Sequence, residues 1–156
     1  MKILVFSDTH RSHSNVINII NYDEEQVDAV IHCGDIIRDC EEIERNISPK
    51  IPFIYVCGNN DYYNNIVPDD KSITLGGKKI FITHGHKYGV KQGKDSLRRK
   101  IKEGYDIVLY GHTHISDIEY FSNGILLNPG AMAYGAISYG VIEIKDNKVY
   151  ASIVKK

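Results

Sequence analysis

Short apolar runs recur along the chain and are separated by polar or turn-forming segments. They are rich in β-branched and aromatic residues and lack the alternation of a strand with one wetted face, so each is predicted to be a strand buried on both faces. These runs cover residues 2–7, 28–33, 52–57, 78–83 and 106–110. Such strands are typical of sheets that lie between layers of helices.

Between some of these runs the spacing of apolar residues becomes helical. Residues 14–22 place Val16, Ile19 and Ile20 on one face, and residues 96–104 form a basic amphipathic segment that ends at Gly104. The pattern therefore predicts βαβ units in the first two thirds of the chain.

The last third has a different pattern, in which pairs of short strands flank turn residues. Residues 117–130 hold an Asn-Gly turn, and residues 138–154 hold a turn at Asp146 and Asn147, which predicts two β-hairpins. No linker or repeat interrupts the chain, so residues 1–156 are predicted to be a single domain. We expect an α/β (α+β) fold in which two mixed sheets pack face to face with helices outside.

The overall charge excludes a broadly basic surface for nucleic acid. Lys and Arg number 19 against 20 for Asp and Glu, so nucleic acid is not expected as a partner except as a nucleotide-like substrate. The three cysteines show no CxxC spacing, and the N-terminal apolar run is too short for a signal or a membrane span. We predict a cytoplasmic protein without a membrane partner, and a homo-oligomer stays open.

The candidate chemistry follows the predicted strands. The motifs SDTH, GD, GNND, HGH and GHTH each come directly after one of the five runs. The carboxyl ends of parallel strands share one edge of a sheet, where α/β folds bind ligands, so these motifs are predicted to meet in space. Asp8 and His10 can both present ligands only where the strand has ended and the backbone turns.

The side chains in these motifs form a mixed oxygen and nitrogen ligand set. Such a set suits manganese, iron, nickel, cobalt or zinc better than calcium or magnesium. It is too large for one tetrahedral ion and fits two ions that share a carboxylate. The candidate ligands are Asp8, His10, Asp35, Asn59, His84, His112 and His114.

The five motifs, in this order and at strand ends, resemble those of the calcineurin-like metallophosphoesterases, and the length resembles their small prokaryotic phosphodiesterase branch. The resemblance covers about residues 3–130 and implies a four-layer α-β-β-α sandwich. It implies two divalent transition-metal ions, with manganese first and nickel, iron, cobalt or zinc as alternatives. The first ion would be bound by Asp8, His10, Asp35 and His114. The second would be bound by Asn59, His84, His112 and the same Asp35, which would bridge the ions.

This resemblance implies a hydrolase in which a hydroxide, formed from water acidified by the ions, attacks phosphorus. Two divalent ions and two aspartates leave about two uncompensated positive charges, which weakly favours a small or nucleotide-like phosphodiester as substrate. The alternatives are phosphomonoesterase activity and a non-catalytic protein-binding scaffold, which this family also contains. Intact ligand positions count against the scaffold.

Catalytic roles are predicted for Asp35, Asn59 and Asn60, and Asn60 departs from the wider family. Many members carry His at this position, whereas an amide cannot deliver a proton at neutral pH, so the general acid is unassigned. Asn60, Arg11 and His86 are candidate substrate contacts. Arg11 is equally consistent with a solvated loop residue, and His86 with a loop hydrogen bond.

Three further polar residues are predicted to have structural roles. Asp61 is expected to support the neighbouring loop rather than bind an ion. His13, near a helix start, and His32, within a strand, are expected to be structural.

Overall fold

The computed structural model describes residues 1–133, 135 and 137–156. Three α-helices lie in the described part of the chain, at α1 (His13–Tyr22), α2 (Ile37–Asn46) and α3 (Asp95–Lys102). The strands in the first half are β1 (Lys2–Phe6), β2 (Ala29–His32), β3 (Phe53–Tyr55), β4 (Asp70–Leu75) and β5 (Lys78–Thr83). Those in the second half are β6 (Ile107–Leu109), β7 (Asp117–Phe121), β8 (Gly124–Asn128), β9 (Ser138–Lys145) and β10 (Lys148–Lys155).

The strands form two five-stranded mixed sheets. The first sheet has the order β10-β9-β1-β2-β3, with β1, β2 and β3 parallel and the β9–β10 hairpin antiparallel beside β1. The second has the order β4-β5-β6-β8-β7, with β5, β6 and β8 parallel and antiparallel strands at both edges. In each sheet the parallel strands therefore end at one edge, where their following loops meet.

Alternate residues of each strand face opposite layers, and this alternation builds the core. Ile3 and Val5 of β1 pack in the cluster between the two sheets together with Ile80 and Ile82 of β5, and all four are fully buried. Leu4 and Phe6 of β1 face the other way, against α1 and α2. The four-layer sandwich of two mixed sheets flanked by helices is thereby confirmed.

The outer layers use the helical faces that the sequence pattern indicates. Val16, Ile19 and Ile20 of α1 are buried as predicted, and Leu97 and Ile101 of α3 pack on Val108 and neighbouring residues of the second sheet. Lys94 and Arg98, in the basic segment around α3, pair with Asp117 and Glu119 of β7. This segment is therefore a helix fixed to the sheet by ion pairs.

Most of the predicted elements are observed, with two omissions and one correction. Helix α2 and strand β4 were not predicted, although Cys40 and Ile43 have helical spacing and Ile73 and Leu75 alternate with polar residues. The prediction that residues 52–57 form a strand buried on both faces is wrong. All of β3 (Phe53–Tyr55) is half-buried because it lies at the edge of its sheet. No helix within the described residues is long and apolar enough to cross a membrane.

The inter-sheet core yields a stability prediction at a pair of aligned isoleucines. Ile80 is fully buried in β5, and its register partner Ile73 lies in the edge strand β4 and is half-buried. We expect Ile80→Ala to lower the free energy of unfolding by about 3 kcal/mol, because it leaves a cavity between the sheets. Ile73→Ala, the matched control, should cost about 1 kcal/mol because its site is already partly wetted. Urea denaturation of the metal-free proteins measures both, and equal losses would contradict the proposed core.

Candidate metal centre

The five motifs meet at one edge of the sandwich, and ligand residues of three of them lie at sharp turns of the backbone. Five of the seven predicted ligands have a positive φ, a conformation that non-glycine residues adopt rarely. They are Asp8, His10, Asp35, His112 and His114. Strained residues of this kind cluster at functional sites, where the surrounding structure holds them in place.

A first group of potential ligands consists of Asp8, His10 and His114, whose ligand atoms all lie within 4.8 Å of one another. The Nε2 atoms of His10 and His114 are 3.2 Å apart, and His114 Nε2 is 3.1 Å from Asp8 Oδ1. Asp35 reaches the same group, because its Oδ2 is 3.5 Å from His10 Nε2. The four residues predicted for the first ion are therefore together.

A second group consists of Asp8, Asp35 and His84, again with ligand atoms within 4.8 Å of one another. Asn59 joins it, with its Oδ1 3.1 Å from His84 Nε2. The His112 ring lies beside His84 with ring centroids 5.0 Å apart, and the His112 backbone amide donates to Asp8 Oδ2 at 3.0 Å. Asp8 is common to both groups, and Asp35, the predicted bridging ligand, belongs to the second group and lies 3.5 Å from His10 of the first.

The hydrogen bonds of His84 indicate that the space between His84 and Asn59 suits a cation. Its Nδ1 is 2.9 Å from the Cys33 carbonyl oxygen, which only accepts, so Nδ1 carries the proton. In the neutral ring Nε2 is then an acceptor, and it faces the Oδ1 acceptor of Asn59. The buried Asp8 Oδ1 makes no hydrogen bond of acceptable geometry within the described residues. The two facing acceptors, His84 Nε2 and Asn59 Oδ1, fit a cation between them, and a ligating His commonly donates its other N–H to a carbonyl.

The protonation states also suit metal binding. Burial raises the pKa of Asp8, but this effect is outweighed by the imidazoles of His114 and His84 and by the Ser7 hydroxyl. Together they lower the pKa of Asp8 to about 2. Burial and then the neighbouring His84 lower the pKa of His112 to about 4. At neutral pH Asp8 is therefore a carboxylate and His112 a neutral imidazole, the forms in which these side chains bind metals. The adjacent Asp8 carboxylate raises the pKa of His114. A metal ion that binds His114 must therefore displace a proton that is held more tightly than any proton on His112.

Asn60 lies directly against the central carboxylate. Its side-chain Nδ2 donates to Asp35 Oδ2 at 2.7 Å, and its backbone amide donates to Asp35 Oδ1 at 3.0 Å. Both Asn59 and Asn60 are exposed to solvent. The amide therefore sits where it can contact both Asp35 and an incoming substrate, and the two donors hold Asp35 in position.

Two features of the GNND loop bring it against the GD loop. A Cβ on Gly58 would lie 2.6 Å from the Asp35 Cα and backbone nitrogen, so only glycine permits this approach. Asp61 accepts hydrogen bonds from the backbone amides of Ile36 and Ile37 at the start of α2 and from the Gly58 amide. Asp61 thus supports the loop, as its position after the ligand asparagine suggests.

Other residues that fix the loops were not predicted. Asp39, buried on α2, accepts hydrogen bonds from the Thr9 hydroxyl at 2.7 Å and from the Arg11 backbone amide at 2.6 Å, which holds the DTH turn. Asn128 donates to the Gly111 carbonyl and to the Thr113 hydroxyl, which holds the GHTH loop. Asp39 lies on helix α2, which the sequence pattern does not predict, so nothing in the pattern places it beside the first motif.

The remaining predicted residues surround the centre in different ways. His86 lies near His84, with ring centroids 5.4 Å apart, and burial followed by the charge of His84 lowers the pKa of His86. Arg11 is exposed on the rim. His13 lies 3.3 Å from Asp39, and His32 is fully buried, with its Nδ1 accepting from the Gly34 amide and its pKa lowered by burial to about 4. His13 and His32 lie behind the ligands, in keeping with structural roles.

Concave surfaces flank the centre on two sides. One cavity of about 600 Å³ contains Asn59 and His86, and another of about 580 Å³ contains His10, Arg11 and Asn60. A larger concavity, about 840 Å³, lies elsewhere, between α1 and the β9–β10 hairpin, and is lined by none of the predicted ligands. The two smaller cavities, whose walls include predicted ligands, are therefore the candidate routes by which a substrate reaches the centre.

The fold and the clustered ligands define the class of this protein as a two-sheet α/β protein with a candidate metal centre. The family model of the calcineurin-like phosphoesterase superfamily domain matches residues 1–147. The chain therefore belongs to this superfamily of metal-dependent phosphoesterases, and the resemblance drawn from its motifs is confirmed.

Individual relatives agree with this assignment. A phosphodiesterase of Methanocaldococcus jannaschii is 34% identical over 177 residues, covering 99% of each chain. A predicted phosphoesterase of Streptococcus pneumoniae has a structure that matches with a TM-score of 0.77 and 28% identity, covering 99% of this chain and 88% of that one. Vps29 of Entamoeba histolytica, solved in complex with zinc, matches with a TM-score of 0.72 and covers 99% of each chain. At 20% identity the Vps29 match shows the fold alone.

The contacts of Asp61 lead to a prediction about loop stability. Asp61→Ala would leave three backbone amides without their acceptor, so we expect a loss of about 2 kcal/mol in the free energy of unfolding. Asp61→Asn, the matched control, retains one side-chain oxygen and should lose about half as much. Urea denaturation of the metal-free variants measures this difference. Wild-type stability in Asp61→Ala would show that the amides do not depend on this carboxylate.

Proposed function

We propose that this protein is a dinuclear metal-dependent phosphodiesterase that hydrolyses a small or nucleotide-like phosphodiester. The observation that carries the proposal is the buried Asp8 carboxylate, which is shared by two ligand groups and has an oxygen without an acceptable hydrogen bond in the described structure. One carboxylate between two clusters of imidazoles is the arrangement that a pair of divalent ions needs.

The proposed ions are held by the residues that the motifs bring together. Asp8, His10, Asp35 and His114 would hold the first ion, and Asn59, His84 and His112 would complete the second together with the central carboxylates. When bound, the ions acidify water and neutralise negative charge on the phosphoryl group. Manganese is the first choice for both positions, with nickel, iron, cobalt or zinc as alternatives, because hard carboxylates and imidazoles suit all of them.

The chain's own residues would bind and orient the substrate. Asn60 offers an amide donor at the rim, already 2.7 Å from Asp35 Oδ2, and can hydrogen-bond a phosphoryl oxygen without supplying a proton. His86 forms the wall of one flanking cavity and Arg11 that of the other. These three positions are the proposed substrate contacts.

Three considerations favour phosphodiester hydrolysis over the other candidates. The name of the Methanocaldococcus jannaschii relative supports it. Two divalent ions with Asp8 and Asp35 leave about two positive charges, which one hydroxide and one singly charged diester would neutralise. A phosphomonoester would also be tolerated, so phosphomonoesterase activity is the nearest alternative. A protein-binding scaffold needs no such complete ligand set.

Removing the Asp35 carboxylate tests the dinuclear centre. We expect wild-type protein to bind about two manganese ions per chain and Asp35→Ala to bind at most one, with turnover of bis(p-nitrophenyl) phosphate lost. Asp95→Ala, which removes an exposed carboxylate on α3, is the matched control and should retain metal and activity. Metal content after dialysis and initial rates measure both. Full activity in Asp35→Ala would refute the mechanism, and preferential hydrolysis of p-nitrophenyl phosphate by wild type would favour the monoesterase.

The departure at Asn60 gives a separate prediction about leaving groups. Asn60→His would introduce a group able to protonate the departing oxygen, and general acid help is typically worth about 10²-fold or more. We expect the rate to depend less steeply on leaving-group pKa across a series of aryl phosphodiesters. Asn60→Ala, the control, removes the amide donor and should keep the wild-type dependence at a lower rate. An unchanged slope in Asn60→His would mean that no acid is missing at this position.

A further inference from the structure

A cavity of about 580 Å³ adjoins the candidate centre on the side of the DTH motif. Its walls come from the loop after β1, the start of α2 and the GNND loop, so it opens between three of the site's supporting segments. Its lining residues are His10, Arg11, Ile36, Arg38, Asp39, Asn60 and Asp61. Because His10 and Asn60 also belong to the centre, a substrate held there would have its next group beside this cavity.

Two arginines line the cavity, and no carboxylate in the described part of the chain pairs with either of them. Arg11 and Arg38 are both exposed. Among the described residues, neither guanidinium forms an ion pair or a side-chain hydrogen bond. By contrast, Arg45 on the same helix as Arg38 pairs with Glu42 at 2.9 Å. The arginines of the cavity are therefore free to meet an anion from outside.

The two carboxylates of the same cavity do not compete for the arginines, because their oxygens are occupied. Asp39 is 4% exposed and accepts from the Thr9 hydroxyl and the Arg11 backbone amide. Asp61 accepts from three backbone amides, two of them at the positive end of α2. Both carboxylates thus stabilise loops through these hydrogen bonds, and among the described residues neither pairs with a guanidinium of the cavity.

Planar guanidinium groups with several N–H donors bind phosphate well, often through two parallel hydrogen bonds. One arginine beside the centre would serve the phosphoryl group that is cleaved. A second arginine, Arg38 on α2, lines the same cavity and would be in excess of that need. Its position matches a second anionic group carried by the same substrate.

We infer that Arg38 forms a subsite for an additional phosphate group on the substrate, next to the phosphodiester that is hydrolysed and beside Arg11. This inference rests on the proposed function and narrows its substrate class. The preferred substrates are phosphodiesters that carry a further terminal phosphate, such as a nucleotide-like diester with a phosphate at its other end.

The test compares two diesters that differ only in the extra phosphate. The first is the nitrophenyl phosphodiester of thymidine, and the second is the same diester with an additional phosphate on the sugar. We expect manganese-loaded wild type to prefer the second in kcat/KM, and Arg38→Ala to reduce that preference about ten-fold, the size of one charged hydrogen bond. Arg38→Lys should keep part of the preference, since it retains charge but loses the planar fork.

Arg45→Ala, which removes an arginine from the same helix outside the cavity, is the matched control and should keep the wild-type preference. Thermal unfolding and metal content verify that each variant is folded and loaded. An equal loss on both diesters in Arg38→Ala would place this arginine on the cleaved phosphate and overturn the second subsite. An unchanged preference would overturn it as well.

Binding measurements keep this inference separate from the proposed function. If wild type hydrolyses neither diester, the proposed function fails, and calorimetric titration with thymidine monophosphate and thymidine bisphosphate then tests the subsite alone. A bisphosphate preference that falls about ten-fold in Arg38→Ala would support it, and equal affinities would overturn it. Inorganic phosphate titrated alone gives the last comparison. Affinity for it that depends on Arg38 would assign the cavity to the free anion instead.

Discussion

The candidate centre depends on the close approach of the GD and GNND loops, where Gly58 lies against the backbone of Asp35. A Cβ at Gly58 would come within 2.6 Å of backbone atoms that cannot move aside. This contact lets the Asn60 amides reach both oxygens of Asp35. The same approach allows Asp61 to cap α2. One missing methyl group thus aligns the central carboxylate, the rim amide and the start of a helix.

A second constraint comes from the charge that the centre collects. Carboxylates and imidazole nitrogens converge at Asp8, and the buried Asp8 Oδ1 has no acceptable donor in the described structure. Burying such a group costs free energy unless a partner neutralises it. The apolar core between the two sheets, which includes the fully buried Ile3, Val5 and Ile82, stabilises the fold against this cost. Metal binding is therefore expected to raise the free energy of unfolding, because the ions would supply positive charge beside the converging carboxylates.

Much of the architecture could be predicted from the sequence because the apolar runs differ so clearly from the polar motifs that follow them. The predicted strands, α1 and α3 and both hairpins follow from periodicity and turn residues, with Asp146 and Asn147 indeed at positive φ. Helix α2 was missed because its first residues continue a motif and its mean composition is highly charged. Strand β4 was missed because a half-buried edge strand has a weak pattern.

The site was predictable in its residue types and less so in its supports. Motif order indicates which side chains meet, but it does not show that Asp8 as well as Asp35 reaches both ligand groups. Nor does motif order show that Asp39 of α2 holds the loop after β1 through hydrogen bonds to Thr9 and Arg11. That contact joins residues about thirty positions apart, and one of them lies on a helix that the pattern does not predict.

The supporting carboxylates explain how the rim can attract anions on a protein whose net charge is −1. Asp39 and Asp61 direct their oxygens at backbone amides and a hydroxyl of the loops rather than at the guanidinium groups of Arg11 and Arg38. Interactions between exposed charges are screened within about 8 to 10 Å at physiological salt. The field at a bound substrate is therefore set by its immediate neighbours, and these include the guanidinium groups of Arg11 and Arg38, which pair with no carboxylate among the described residues. Local arrangement, rather than the overall charge, decides the chemistry of this edge.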